Sequence, residues 1–299
     1  IKALRECRDV VIDNCDIISP EFGWSVNGIQ MKHSTAESEY FMMRVTDLNF
    51  SDVQFKGKYS FQYIKNAVFD NCVLDTKDAF WHSENVTVKN SVVKGEYLAW
   101  YSDGLTLINC KIIGTQPLCY CKNLTLINCE MVDTDLCFER SEVQAILTSS
   151  VDSIKNPLSG WIQVTEVGEI IMDVAEATGK VMISDVDAQT EEFQKTVSEN
   201  KEFVKEFIQN EIPQIQVASF YDTCFLRLNF VRMIGNGMEA VSYIKEKTGV
   251  YFSYGKQNGQ GGNEFLRINT ACSRSVLERS LQQLKAGITA YEKFCVERC

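Results

Sequence analysis

The feature that most constrains the fold of this chain is a nineteen-residue repeat in its first half. Asparagine recurs at this interval, and a small residue follows it each time: Asn71-Cys72, Asn90-Ser91, Asn109-Cys110 and Asn128-Cys129. Apolar residues stand two and four positions before each asparagine, with a mostly polar position between them. This alternation is typical of a strand with one buried face. It predicts that Leu107 faces the interior and Thr106 the solvent.

A second apolar column with the same period predicts a second strand in each repeat: Phe61, Phe80, Ala99, Leu118 and Cys137. Residues that tolerate a left-handed backbone mark the turn between the two strands: Asn66, Asn85, Gly104 and Asn123. Two or three short strands in a period near 20 indicate a coil that stacks on itself, so the sequence predicts a mainly β fold, a parallel β-helix with 19-residue coils. A leucine-rich repeat would need regular leucine columns and a helical segment, and neither is present.

Composition narrows the class of protein. The net charge of −10 argues against nucleic acid or an anionic membrane as the main partner. Twelve cysteines in a chain of 299 residues without a signal-peptide pattern predict reduced thiols and a cytoplasmic location, and the column Cys15, Cys72, Cys110 and Cys129 is expected inside the coil. With only two histidines, no metal site is predicted. The opening residues read as mid-domain sequence, so N-terminal coils are expected to be missing.

The second half has a different pattern. The repeat fades after Ser141, two further strands are expected to close the stack (169–172 and 180–183), and the polar stretch 184–190 is predicted to be a linker. Helical and strand periodicities then alternate, which predicts a small α+β domain over residues 191–299. The predicted elements are a helix from Thr190, a strand over 224–230, a helix from Met238, a strand over 250–253, a glycine-rich loop over 257–262, a strand over 265–271 and a helix from Ser275.

Residues 1–183 resemble a bacterial family of unknown function with a right-handed, pectin-lyase-like β-helix fold. The resemblance rests on these segments: Ser19-Pro20-Glu21-Phe22-Gly23-Trp24, Ser38-Glu39-Tyr40-Phe41, Gly57-Lys58-Tyr59-Ser60-Phe61, Asp78-Ala79-Phe80-Trp81-His82, Gly114-Thr115-Gln116-Pro117 and Ser153-Ile154-Lys155-Asn156-Pro157. It implies a right-handed fold and no particular reaction.

Residues 191–294 resemble the C-terminal small domain of pyridoxal-phosphate enzymes of fold type I, in the cystathionine β-lyase group of class I/II aminotransferases. The matching segments are 223–230, 249–252 and 261–274. The resemblance implies that Arg267, together with Asn269, binds the α-carboxylate of a small amino-acid substrate. The large domain of such enzymes, which supplies the Schiff-base lysine, has no counterpart here. Pyridoxal phosphate is therefore not expected to bind this chain alone, and catalytic residues stay unassigned.

The β-helix also carries a candidate glycan face, formed by Asp78, Trp81, His82, Trp100 and Tyr101. The spacing predicts that these rings stack from coil to coil, with Tyr63 and Tyr120 continuing the row. Aromatic platforms beside a carboxylate suit a sugar, whereas stacking that only stabilises the coils is the alternative.

Three hypotheses for the function follow. The chain is a β-helix joined to the small domain of a pyridoxal-phosphate carbon–sulfur lyase or aminotransferase, with an incomplete active site. Alternatively, it belongs to a complete enzyme of that type when the large domain is present. In the third hypothesis the β-helix binds glycans or serves as a scaffold.

Overall fold

A computed structural model describes residues 2–184, 186–219, 225–229, 237–248, 253–254, 265–272 and 274–298. The chain divides into two compact units, residues 1–190 and 191–299. Each unit has its own hydrophobic core.

The first unit consists of short strands joined by bends. The strands are β1 (Lys2–Arg5), β2 (Arg8–Asp13), β3 (Asp16–Ile18), β4 (Glu21–Trp24), β5 (Asn27–Ser38), β6 (Tyr40–Met43), β7 (Thr46–Lys58), β8 (Lys65–Asp70), β9 (Val73–Lys77), β10 (Glu84–Lys89), β11 (Val92–Lys94), β12 (Asp103–Ile108), β13 (Lys111–Ile113), β14 (Leu124–Val132), β15 (Glu142–Leu147), β16 (Val151–Lys155), β17 (Ser159–Val164), β18 (Val167–Ile171) and β19 (Lys180–Ile183).

Ten of these strands stack in series, and every pairing between them is parallel. The series runs β2, β5, β7, β8, β10, β12, β14, β15, β17 and β19. Val88, Leu107 and Leu126 are aligned in successive coils, one repeat apart, and all three are buried. The predicted parallel solenoid with 19-residue coils is confirmed, and it has about ten turns.

The solenoid continues beyond Ser141, where the sequence repeat fades. Leu126 pairs with Ala145, but Cys129 pairs with Leu147, so the register shifts by one residue between Leu126 and Cys129 of β14. The next coil pairs Glu142 with Ser159, which makes it shorter than the coils before it. A change of coil length, rather than an end of the stack, therefore removes the sequence signal.

The second apolar column lies in bends and not in strands, so this part of the prediction is wrong. Phe61, Phe80, Ala99 and Leu118 are fully buried, but each has a positive φ of 57–63°. A left-handed residue at alternate positions turns the chain and prevents a regular strand. The fifth member of the column is Phe138 (φ 65°), not Cys137, because the chain between Leu118 and Phe138 contains one extra residue.

The polar column between the inward-facing residues is buried, contrary to the prediction for Thr106. Thr87, Thr106 and Thr125 are only 4%, 8% and 9% exposed. Register places each threonine directly between its equivalents in the adjacent coils. Stacked neighbours on both sides thus remove most of the accessible area from an outward-facing side chain.

The asparagine–cysteine pairs form a turn that recurs in the stack. Asn71, Asn90, Asn109 and Asn128 have φ of 51–53°, a region in which asparagine is tolerated better than most residues. Side-chain amides bond from coil to coil, as in Asn128 Nδ2 to Asn109 Oδ1 at 2.9 Å. The asparagines are exposed, so the ladder lies on the surface.

The cysteines that follow act as hydrogen-bond donors. Cys72, Cys110 and Cys129 donate to the carbonyl two residues earlier at 3.3–3.5 Å, as Ser91 does at 2.6 Å. This shared role explains why serine can take the place of cysteine in the column. Burial raises the pKa of the Cys72 thiol to about 11, which keeps that donor protonated. Cys15 is exposed, contrary to the prediction, because β3 pairs on one side only.

The second unit is an α+β arrangement. Its elements are α1 (Val186–Glu211), β20 (Gln216–Ser219), β21 (Phe225–Asn229), α2 (Gly237–Thr248), β22 (Ser253–Tyr254), β23 (Phe265–Asn269) and α3 (Arg274–Arg298). The strands form an antiparallel sheet in the order β20-β21-β23-β22. Its core packs Ile208, Leu228, Ile244 and Leu281 together.

Some predicted elements differ from the observed ones. Helix α1 begins at Val186, so most of the predicted linker is helical; no glycine or proline interrupts this segment. The predicted glycine-rich loop over 257–262, and the predicted strand residues 224, 230 and 250–252, lie outside the described residues. Of the helices that the structure describes, none is long and apolar enough to cross a membrane.

Candidate functional site

The structure brings the five residues of the glycan face together. Asp78, Trp81 and His82 lie in the bend between β9 and β10, and Trp100 and Tyr101 occupy the equivalent bend one coil later. The rings of Trp81 and Trp100 stack at 5.5 Å with an interplanar angle of 3°. Stacking of equivalent bends therefore forms this face, as the 19-residue spacing predicts.

His82 and Tyr101 belong to a longer row, the aromatic ladder, made of Tyr63, His82, Tyr101 and Tyr120. Successive ring centroids are 4.9, 5.0 and 4.8 Å apart, and interplanar angles are 7°, 7° and 13°. These separations match the distance between neighbouring strands of a sheet. The rings are nearly parallel and evenly spaced because successive coils repeat the same bend.

Arginines lie at the two ends of the ladder, and neither is among the residues predicted from the sequence. The guanidinium carbon of Arg44 lies 4.8 Å from the ring centroid of Tyr63, a cation–π contact. Arg140 occupies the position equivalent to Tyr120 in the following coil, with the same left-handed backbone. The 19-residue spacing could have revealed Arg44, whereas the extra residue before Phe138 conceals Arg140.

Both ring faces are covered at three of the four positions of the aromatic ladder. His82 and Tyr101 each have a ring stacked on both sides, and Tyr63 lies between Arg44 and His82. A sugar stacks on an open aromatic face, so the covered faces of Tyr63, His82 and Tyr101 are not available to one, whereas glycan binding by this surface as a whole stays a prediction. What the ladder presents to solvent is ring edges, phenol groups and an imidazole, with Tyr63 40% and Tyr101 47% exposed.

The two tryptophans tie neighbouring coils together. The indole N–H of Trp81 donates to the carbonyl oxygen of Tyr97 at 2.6 Å, and that of Trp100 donates to the carbonyl oxygen of Gln116 at 2.8 Å. Both rings are half-buried. These contacts link adjacent coils, and a sugar-binding role of Trp81 and Trp100 stays a prediction.

Asp78 has an unusual environment for a carboxylate. It is 7% exposed, and its Oδ1 atom has no hydrogen-bond partner among the described residues. Burial raises the pKa of this carboxyl group, the positive charge of Lys77 opposes the shift, and the negative charge of Glu96 adds to it. Lys77 itself pairs with Glu96 at 2.9 Å. A buried carboxylate oxygen without a hydrogen-bond partner is destabilising, so we expect Asp78 to lower the stability of the solenoid.

Replacing Asp78 by asparagine should stabilise the solenoid at neutral pH. Because the folded-state pKa is raised, protonation of Asp78 stabilises the fold below its unfolded pKa, and this contribution is lost as the pH rises through the folded pKa. We expect Asp78→Asn to gain about 1 kcal/mol at pH 7 and little at about pH 3.5. Urea unfolding followed by tryptophan fluorescence measures the free energy of unfolding at each pH, since all four tryptophans lie in the first unit.

The matched control for this variant is Asp75→Asn. Asp75 is 48% exposed and pairs with Lys94 at 3.6 Å, so its loss should leave stability unchanged or slightly reduced. A wild-type protein more stable than Asp78→Asn at pH 7 would contradict the burial cost of this carboxylate.

Arg267 and Asn269, the predicted substrate-binding residues, lie two positions apart on β23. Arg267 is aligned with Arg227 of β21 on one side and with Ser253 of β22 on the other. Leu226, Leu228 and Ile268 are buried at the alternate positions of these strands. The side chains of Arg267 and Asn269 lie outside the described part.

Possible metal ligands do not cluster in the part of the chain that the structure describes: no three histidine, cysteine or acidic residues are arranged to hold an ion there.

Comparison with known proteins gives one family match. A family model described as "Protein of unknown function (DUF3737)" matches residues 1–184. No curated protein gives a significant match. Among solved structures, the chain is similar to the PLP-bound form of a protein described as an aminotransferase from Clostridium difficile 630, crystallised with magnesium formate.

That structural likeness is partial. It has 29% identity and a TM-score of 0.33, and it covers 34% of this chain and 26% of that chain. The chain thus spans about a quarter of the length of the solved protein. At this TM-score the likeness assigns neither a fold nor an activity to the second unit.

Proposed function

The chain belongs to the DUF3737 family of proteins of unknown function, and we propose that its solenoid is a scaffold that contacts another protein along the aromatic ladder. The observation that carries this proposal is the orientation of the rings. The faces of Tyr63, His82 and Tyr101 are covered by their neighbours, while polar edges repeat from coil to coil at nearly equal spacing.

The tyrosines of the ladder, together with Arg44 at its end, support a protein partner. Tyrosine, tryptophan and arginine are the residues that contribute most to protein–protein binding, because each combines a large contact area with a hydrogen-bonding group. Arg44, Tyr63 and Tyr101 supply such groups at the exposed surface. The stack also holds the rings rigid in advance, which lowers the entropic cost of binding.

Site-specific photo-crosslinking tests the proposal. Benzoylphenylalanine replaces Tyr101 in the ladder or, as a control, Val73, which is 46% exposed on β9. Illumination in cells should give a discrete protein adduct at position 101 and none at position 73. Equal adducts at both positions, or none at position 101, would contradict the scaffold function.

Glycan binding is the competing function for the same surface. The purified chain should not be retarded by a panel of neutral and acidic polysaccharides in affinity electrophoresis. Retardation that disappears in Trp81→Ala and Trp100→Ala would restore the glycan hypothesis in place of the scaffold.

A second proposal concerns residues 191–294: this segment is a carboxylate-binding small domain of the pyridoxal-phosphate type. Its support is the sequence around Arg267 and Asn269, together with the register that aligns Arg267 with Arg227. Guanidinium groups bind carboxylates through two parallel hydrogen bonds, so this pair of aligned arginines is suited to an amino-acid carboxylate. With no counterpart of the large domain, we expect the chain to lack a complete lyase site.

Trapping of the cofactor tests this second proposal. The full chain is incubated with pyridoxal phosphate, reduced with borohydride and weighed by mass spectrometry. No stoichiometric adduct is expected. A lysine modified in every molecule would overturn the incomplete-site proposal and favour a complete enzyme.

A further inference from the structure

We infer that the aromatic ladder and the arginines at its two ends bind an extended protein segment that carries two acidic side chains about seven residues apart. This inference names the chemistry of the partner, and it rests on the proposed scaffold function. Accessibility, charge and spacing along the ladder support it.

The ladder is open to solvent. Tyr63 and Tyr101 are 40% and 47% exposed, and His82 is exposed between them. Arg44 and Arg140 are exposed at the two ends. Each ladder residue donates its backbone N–H to a carbonyl oxygen of the next coil at 2.7–3.2 Å, so none of these donors is left to pair with an added strand. A partner is therefore recognised by the side chains of this surface.

The two guanidinium groups have no carboxylate partner. Among the described residues, neither Arg44 nor Arg140 has an acidic side chain within ion-pair distance. Glu139, the residue before Arg140, is already paired with Lys155 at 3.1 Å. Guanidinium groups bind carboxylates through two parallel hydrogen bonds, so one acidic side chain of a partner at each end would complete these contacts.

The solenoid sets the distance between the two arginines. The four rings of the ladder lie between Arg44 and Arg140, which makes five coil steps. Steps of about 4.8 Å place the two positions about 24 Å apart along the stack. An extended chain covers this distance with about seven residues of about 3.3 Å each. Hydrogen bonds between the coils fix the distance, so the ladder selects partners by the spacing of their charges.

The charge of the whole chain restricts the partner further. At a net charge of −10 the protein repels polyanions at long range, which disfavours both a continuous acidic run and a nucleic acid. Nucleobases bind by stacking on aromatic faces, and those of Tyr63, His82 and Tyr101 are already covered. Isolated acidic side chains on a polypeptide therefore fit this surface better than a nucleic acid does.

Fluorescence anisotropy with the purified full chain tests the inference. The probes are two fluorescein-labelled peptides of identical composition, made of serine, threonine, glycine and two glutamates. The glutamates are seven residues apart in the wide peptide and two residues apart in the narrow peptide, so only the wide peptide can reach both arginines. We expect the wide peptide to bind about fivefold more tightly, which is the contribution of one additional exposed ion pair.

Variants of the two arginines identify the contacts. Arg44→Gln and Arg140→Gln should each reduce the affinity for the wide peptide to that for the narrow one. Gln116 has a φ of 48°, so glutamine is compatible with the left-handed backbone of both positions, and urea unfolding checks that the variants fold. Lys56→Gln removes an exposed cation of β7 outside the ladder and should leave both affinities unchanged. The double variant Arg44→Glu with Arg140→Glu should instead prefer a wide peptide whose glutamates are replaced by lysines.

Three results would overturn the inference: no binding of either peptide, equal affinity for the two, or a preference for the wide peptide that survives Arg140→Gln. Tighter binding of a single-stranded oligothymidine than of the wide peptide would also overturn it, in favour of a nucleic acid. The photo-crosslink at position 101 separates these failures from that of the scaffold. An adduct there with a failed peptide titration would retain a protein partner of different chemistry, whereas no adduct would remove the scaffold function as well.

Discussion

Leu107→Asp should unfold the solenoid at denaturant concentrations that leave the wild type intact. Leu107 is 1% exposed and lies between Val88 and Leu126 of the adjacent coils. An aspartate there either places an unpaired charge in the core or takes up a proton to avoid it, and both cost free energy. We expect a loss of about 4 kcal/mol or more, measured from urea unfolding followed by tryptophan fluorescence.

Ile108→Asp is the matched control. Ile108 is the next residue of β12, similar in size, half-buried and on the opposite face of the strand. Register aligns it with Lys89, so the new carboxylate would lie beside an ammonium group. A loss below about 1 kcal/mol is expected. Similar losses for the two variants would show that the assigned register is wrong.

The fold of the first unit could be predicted because stacking converts position in space into a fixed spacing in sequence. Each coil repeats the same turns, so inward-facing residues such as Val88 and Leu107 recur once in every coil. Charges follow the same rule: Lys65 pairs with Glu84 and Lys111 with Glu130 across one coil step. A parallel solenoid could therefore be inferred without any knowledge of its relatives.

What spacing could not reveal is the backbone conformation within a coil. Phe61 and Phe80 recur like strand residues, yet their positive φ places them in bends. Spacing also fails where a coil gains a residue, so it aligns Cys137 with Leu118 in place of Phe138. Both errors have one cause: periodicity reports which residues are equivalent, but not the dihedral angles between them.

The candidate glycan face shows the same limit: spacing predicts which residues are neighbours but not how their side chains are oriented. The grouping of Trp81 with Trp100 and of His82 with Tyr101 follows from the period and is observed. Whether ring faces or ring edges meet the solvent depends on side-chain rotation, which no spacing encodes. The unpaired oxygen of Asp78 is likewise visible only once its neighbours are in place. Prediction of the substrate-binding role of Arg267 rests on resemblance and remains a prediction.

Replacing Gly95 by alanine, which adds a single methyl group, should lower the stability of the solenoid strongly. A Cβ atom on Gly95 would lie 1.5 Å from the carbonyl oxygen of Thr76 in the adjacent coil, and the φ of Gly95 is 150°. The obstacle is backbone, which cannot rotate away as a side chain can. Because the coils are held together by their hydrogen bonds, relieving the contact requires separating them locally. Gly95→Ala should therefore cost about 3 kcal/mol.

Gly104 separates this steric effect from the general cost of a left-handed residue. Its φ is 71°, but a Cβ there would meet nothing closer than Asn85 N at 3.6 Å. Gly104→Ala should cost about 1 kcal/mol, and Gly104→Asn close to nothing, since Asn85 and Asn123 hold the same conformation one coil away on either side. Urea unfolding followed by tryptophan fluorescence should give Gly95→Ala a clearly lower free energy of unfolding than Gly104→Ala. If the two alanine variants lose equal stability, the coils at Thr76 and Gly95 are not in the close contact described, because φ alone would then account for both losses.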